Sequence, residues 1–303
     1  LEAGADVEAP TAAGWRPLYL AAQDGHAEVA RTLLEAGADV EAPRADGFRP
    51  LTIAAQNGHV EVAGTLLEAG ADVEARGADG ASPLYIAAQH GHVEVVITLM
   101  EAGAAVEAPD ADGFVPLHTA AQLKHVEVVR TLLEAGAFVE AQAANGARPS
   151  HLAALSGCAA TMGALLELGV DIHAVTERGH TPLHFASSSE AVQSLLEAGA
   201  DFHRRDTFGS TPLFEAARMG FVPAVTALVQ AGACPTASDA VWWIELIIRA
   251  VEGDAEAVTA LVAASTERNR RMTENGHFAR TAVQIAELAH PAAEALRLAL
   301  TRA

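Results

Sequence analysis

Cysteine is almost missing from this chain of 303 residues: Cys158 and Cys234 are the only two. They fall in different segments of the linear pattern described below, too far apart for the short Cα separation that a bridge demands. A disulfide framework is therefore excluded, and a reducing compartment, the cytoplasm, is expected. Both read as small hydrophobes. No run of about 18 apolar residues exists, which excludes a membrane-spanning helix. The most apolar stretch, 241–251, contains Glu245 and Arg249 and reads as a core helix. Neither a signal peptide nor an initiator methionine is visible.

The grammar of catalysis is missing too. No Gly-rich phosphate loop, G-x-S-x-G elbow or kinase signature occurs, so no enzymatic activity and no cofactor are expected. Thirteen histidines lack the company a metal needs. His26, His59 and His92 recur in Gly-His turns, His90 and His92 are two apart, and His180 and His184 are four apart. No H-E-x-x-H, cysteine pair or carboxylate triad accompanies them. The histidines read as structural, with no metal site. Positive charge is scarce, with 19 Lys and Arg against 39 Asp and Glu for a net charge of −20. A phosphate backbone would be repelled by such a surface, which sets nucleic acid aside as a partner.

What the chain has is a period. Gly14, Gly47, Gly80, Gly113, Gly146 and Gly179 recur every 33 residues, each followed three positions later by proline. A fixed interval of this size marks a stack of supersecondary units, each burying its apolar face against its neighbours, so a rod is expected. Asp or Asn before Gly, as at Asp79-Gly80 and Asn145-Gly146, is tight-turn chemistry that needs positive φ. Proline three residues on suits the first turn of a helix, where its missing N–H removes no helical bond. Leu84, Ile86, Ala87 and Ala88 then predict a short inner helix stopped at Gly91. Val93, Val95, Val96, Leu99 and Met100 predict a second helix stopped at Ala102-Gly103. Small alanines on the inner helix let neighbours approach closely. The unit is turn, helix, helix, loop.

Read residue by residue, the stretch 79–103 resembles an ankyrin repeat. The family's T-P-L-H-x-A signature is fullest at Thr181-Pro182-Leu183-His184-Phe185-Ala186 and varied elsewhere, as in Pro17-Leu18-Tyr19-Leu20-Ala21. The resemblance implies an all-α ankyrin-repeat solenoid of about nine helix-turn-helix units joined by β-hairpin-like turns. Repeats would start near Thr11, Arg44, Gly77, Asp110, Ala143, Thr176, Asp206, Asp239 and Thr273. Residues 1–10 match the tail of a repeat whose beginning is absent, which points to a fragment or processed piece of something longer. Residues 11–238 make seven repeats, the sixth shortened because Ala186 to Ala191 lacks the Gly-His turn. Residues 239–303 read as a divergent repeat and a C-terminal capping repeat, with Trp242 and Trp243 in the former. Where the family often carries a hydroxylated asparagine, this chain has Glu8, Glu41, Glu74, Glu107 and Glu140, so no acceptor exists there.

The resemblance implies a concave face built from turn tips and inner helices, and so a protein partner. At the tips the residue after the turn glycine is aromatic in Trp15, Phe48 and Phe114. Such rings serve as binding anchors or lie over the Pro and Leu of their own repeats, and both readings stand. Asp46, Asp79 and Asp112 precede the turn glycines and make the edge acidic. At the inner-helix ends Gln23, Gln56, Gln89 and Gln122 recur, each followed by a residue that varies: Asp24, Asn57, His90 and Leu123. Tyr19 and Tyr85 vary after Pro-Leu. Together these sixteen positions form the candidate surface. The glutamate series at 8, 41, 74, 107 and 140 reads as a ladder of like charge, costly to stability and attractive to a basic segment. Charge is concentrated early: residues 1–140 hold 22 acids and 7 bases, against 17 and 12 in residues 141–303. Arg16, Arg49 and Arg148 stand where the family places a capping threonine, and could reach that ladder. A regulatory or targeting arm of a larger enzyme or assembly is the alternative function.

Overall fold

The computed structural model describes residues 6–12, 14–44 and 47–233. Asp46, Cys234, Trp242, Trp243 and the repeats expected from Asp239 onward lie outside the described residues. Contacts divide the chain into two compact units, Leu1–Pro149 and Ser150–Ala303. The first carries inner helices α1 (Pro17–Asp24), α3 (Pro50–Asn57), α5 (Pro83–His90) and α7 (Pro116–Gln122). Its outer helices are α2 (Ala27–Glu35), α4 (Val60–Glu68), α6 (Val93–Glu101) and α8 (Val126–Glu134). The second unit carries α9 (Pro149–Ser156), α10 (Ala159–Glu167), α11 (Pro182–Phe185), α12 (Ser189–Glu197), α13 (Pro212–Met219) and α14 (Val222–Gln230). These are seven helical pairs and no strand among the described residues. The expected hairpins are turns closed by two backbone bonds, such as Arg44 N–H to the Phe48 carbonyl at 2.8 Å and Gly47 N–H to the Arg44 carbonyl at 2.9 Å. They are too short to form a ladder.

Each inner helix begins on its proline, and α1, α3, α5, α9 and α13 end on a glycine in the left-handed region. The N–H of Gly25, at φ 77°, bonds back to Ala21. A second constraint acts on the same glycine. A Cβ there would sit 2.7 Å from the His59 ring of the next pair, and one on Gly58 would sit 2.6 Å from His92. The ring closes in because its Nε2 donates to the carbonyl at the end of the preceding inner helix: His59 to Gln23, His92 to Gln56 and His125 to Gln89, at 2.9 to 3.0 Å. The turn histidines are thus structural interlocks between repeats. After α7 the pattern departs, because Lys124 replaces the glycine at φ 68°. A side chain in that region costs roughly 1 kcal/mol.

In the first unit inner helices pack on inner and outer on outer, with α1 against α3, α3 against α5, and α2 against α4. Ala54, Ala55, Ala87, Ala88, Ala120 and Ala121 are wholly buried and keep these helices close. Leu51, Leu66, Leu84, Leu99, Leu117 and Leu132 fill the core between layers. Each contributes about 2 kcal/mol by leaving water. The second unit follows the same plan with Met162, Leu165, Leu183, Leu195 and Leu213. Ser150 occupies the place that leucine holds at 18, 51, 84 and 117, and its buried Oγ has no hydrogen-bond partner. The shortened repeat reduces its inner helix, α11, to a single turn, and Ser188 caps α12 by accepting the Ala191 N–H at 3.0 Å. Among the described residues no helix is long and apolar enough to cross a membrane.

Candidate partner-binding surface

Each tip in the first unit is a closed turn that presents one side chain just after its glycine. Thr11 N–H bonds to the Trp15 carbonyl, Arg44 to Phe48, Gly77 to Ala81 and Asp110 to Phe114. Tips are also fastened to each other. Ala144 N–H donates to the Asp112 carbonyl at 3.1 Å, and a Cβ on Gly113 would lie 2.9 Å from that same nitrogen. Trp15, Phe48 and Phe114 are half-buried. Trp15 tilts toward Tyr19, 6.3 Å between centroids, and the Arg44 guanidinium stands 5.6 Å from both rings. Phe114 sets its edge against His118 at 5.4 Å. Trp15 and Phe114 therefore rest partly on their own repeats, and all three rings keep part of their surface in solvent.

Tyr19 lies elsewhere than the sequence placed it. Only 2 % exposed, it supports Trp15 and Arg44 and has no open face to offer. Tyr85 is half-buried, and burial together with the neighbouring Asp110 carboxylate pushes its phenol up to about 12. Asp79 and Asp112 are exposed at the tips.

The helix-end residues form a second row. Gln23, Gln56 and Gln89 are half-buried, while Asp24, Asn57, His90, Gln122 and Leu123 are exposed. Part of this row is already engaged: Asn57 Nδ2 donates to the Gln23 carbonyl at 2.8 Å, and His90 Nδ1 to the Ile86 carbonyl at 3.0 Å. An inner helix of eight residues separates this row from the tips by about 12 Å. The candidate residues are two parallel edges flanking the inner helices. On the α1–α2 pair a groove of about 310 Å³ joins the edges, lined by Trp15, Leu20, Asp24, His26, Val29 and Leu33 among others. Val29 is 50 % exposed there, whereas its counterparts Val62 and Val95 are fully buried.

The glutamate series also has a structural use. Glu8 Oε1 accepts the Asp39 N–H at 2.8 Å, Glu41 that of Asp72, Glu74 that of Ala105 at 2.6 Å and Glu107 that of Phe138. Each carboxylate stitches its own loop to the loop one repeat later. The arginines in the capping place join the seam: Arg16 reaches Glu8 at 2.5 Å, Arg49 reaches Glu41 at 3.3 Å and Arg148 reaches Glu140 at 2.6 Å. No side chain caps α1 or α3, as the loss of the threonine hydroxyl implied. At Val115 and Thr181 the cap is a histidine instead. His118 Nδ1 accepts the Val115 N–H and His184 Nδ1 the Thr181 N–H, both at 3.1 Å. With Nδ1 accepting, Nε2 carries the proton and donates to Ala147 and Ser210, each at 3.2 Å. Burial lowers both imidazoles, His184 to about 4.

Three copies of the family model described as ankyrin repeats match residues 1–77, 74–143 and 145–239. Among solved structures, the ankyrin repeat domain of human ASB11 is similar, at 29 % identity and a TM-score of 0.65, over 73 % of this chain and all of that one. No curated protein sequence matches.

Proposed function

This chain belongs to the ankyrin-repeat family, whose repeats mediate protein–protein interaction, and from that premise we propose that it is a non-catalytic scaffold gripping a partner protein along the tips and inner helices of its first unit. The carrying observation is the set of three half-buried aromatic tips beside the exposed carboxylates of Asp79 and Asp112. A ring held on its own repeat loses little conformational freedom when a partner covers its remaining face, which is what a binding anchor requires. The carboxylates of Asp24, Asp79 and Asp112 favour a basic segment and speed its approach. Glu8 and Glu41 contribute less to that attraction, since Arg16 and Arg49 already offset their charge.

The test is selection from a peptide library, with the whole chain immobilised, followed by replacement of Trp15, Phe48 and Phe114 together by alanine. Selected peptides should be rich in Lys and Arg, weaken as salt rises, and lose about tenfold or more in affinity on the triple variant. Peptides that bind the triple variant as tightly as the parent would remove the tips from the interface.

A further inference from the structure

We propose that the junction between the sixth and seventh helical pairs is a site for a divalent first-row transition ion, zinc foremost, held by His180, Asp206 and Glu215. One ligand atom from each lies within 4.8 Å of the other two, although the residues come from a tip, the next loop and helix α13. His180 Nε2 and Asp206 Oδ2 are 2.9 Å apart.

Two of these residues break the chain's own pattern at the same spot. Where His180 stands, other repeats carry Trp15, Phe48, Ala81, Phe114, Ala147 and Ser210. Where Glu215 stands, they carry Leu20, Ile53, Ile86, Thr119, Leu152 and Phe185. The scaffold itself needs neither an imidazole nor a carboxylate there. Both carboxylates are also nearly dry, Glu215 being 6 % exposed and Asp206 8 %. Neighbouring anions stripped of water call for a cation. Arg218 answers for one oxygen only, with Nε and Nη2 both donating to Glu215 Oε2 at 2.9 and 2.6 Å. Oε1 accepts no hydrogen bond among the described residues and is not shut off from water, which leaves it open to a further ligand.

The ligands are held in advance. Asp206 Oδ1 accepts the N–H groups of Phe208 and Ser210 at 2.8 and 2.7 Å, which aims Oδ2 at His180. The His180 ring is stacked on His184 at 5.5 Å and meets the edge of Phe185 at 5.4 Å. One imidazole nitrogen and two carboxylate oxygens suit zinc, with water completing a tetrahedron. Bonds of about 2.1 Å put tetrahedral ligand atoms about 3.4 Å apart, so no gap needs to narrow by more than about 1.4 Å. The Nε2 proton leaves or moves to Nδ1 as the metal enters.

Titration of the whole chain with zinc chloride by calorimetry, and with cobalt(II) by visible absorption, tests the assignment. One ion per chain should bind with micromolar or tighter affinity, and cobalt should show tetrahedral d–d bands. His180→Ala and Glu215→Gln should each weaken binding about tenfold or more, with helicity checked by circular dichroism. Arg218→Gln, at a half-exposed guanidinium, should tighten it several-fold by releasing Glu215. Absence of uptake overturns the site. So does equal affinity in His180→Ala and Glu215→Gln, which would place the ion on other histidines such as the stacked His90 and His92. Should those two variants fail to fold, unchanged affinity in Arg218→Gln rejects the proposal.

Discussion

Replacing Glu74 decides whether the recurring glutamates help or hurt this protein. Its Oε1 receives the Ala105 N–H at 2.6 Å. A hydrogen bond to an ionised acceptor contributes about 1.5–3 kcal/mol, and this exposed seam belongs at or below the lower end, about 1–1.5 kcal/mol. Against it stands repulsion from Glu41 and Glu107 one repeat away. At a helix spacing of about 10 Å each pair costs about 0.4 kcal/mol in water, and less once salt screens it. The stitch therefore outweighs the repulsion. Glu74→Ala should destabilise the chain by about 0.5–1 kcal/mol in urea unfolding, and Glu74→Gln, which keeps an acceptor, by less than half of that. The effect of Glu74→Ala should survive high salt, because a direct hydrogen bond is screened far less than a long-range field. Stabilisation by either variant, or indifference to both, would refute the reasoning and restore the glutamates as a repelling ladder.

Two further outcomes are expected. Thr161 is fully buried in α10 with its Oγ1 unpartnered, at the place where Val62, Val95 and Val128 stand, so Thr161→Val should stabilise by about 1–2 kcal/mol, read by the same urea titration. His184 stays neutral in the fold down to about pH 4, because burial disfavours its charged form, whereas the unfolded chain takes up that proton below about 6.5. Its contribution to stability is complete above pH 6.5, falls as pH drops from there toward 4 and is constant below; the loss is about 3 kcal/mol. Unfolding followed across that range should show it, and His184→Gln should flatten the slope.

The repeating unit was legible because it depends on local chemistry. Proline at the first helical position, glycine in the left-handed region and the alternation of alanine with leucine all act within one cassette, and Pro50, Gly58 and Leu51 do what their neighbours in sequence predict. The contacts between cassettes were not legible in the same way. That Glu41 bonds to Asp72, or that Gly58 is barred from any side chain by His92, depends on how one unit is set against the next. The arginines at 16, 49 and 148 were the exception, since a cation in place of a cap already asked for a nearby anion. The division of the candidate surface into two edges is hidden in the sequence, because numbering does not show the length of the helix between Trp15 and Asp24. Tyr19 looked available for the same reason: its burial is produced by Arg44 from the following cassette.

The seam from each glutamate to the next loop carries a consequence for how such a chain changes length. Donor and acceptor keep the same offset at Glu8, Glu41, Glu74 and Glu107. An unequal crossover that adds or removes a whole cassette within this stretch therefore rejoins every glutamate to an equivalent amide, wherever the breakpoint falls. Any other insertion leaves one carboxylate and one amide without counterparts. Genetic drift in copy number is thereby tolerated, while drift in frame is punished at the first join.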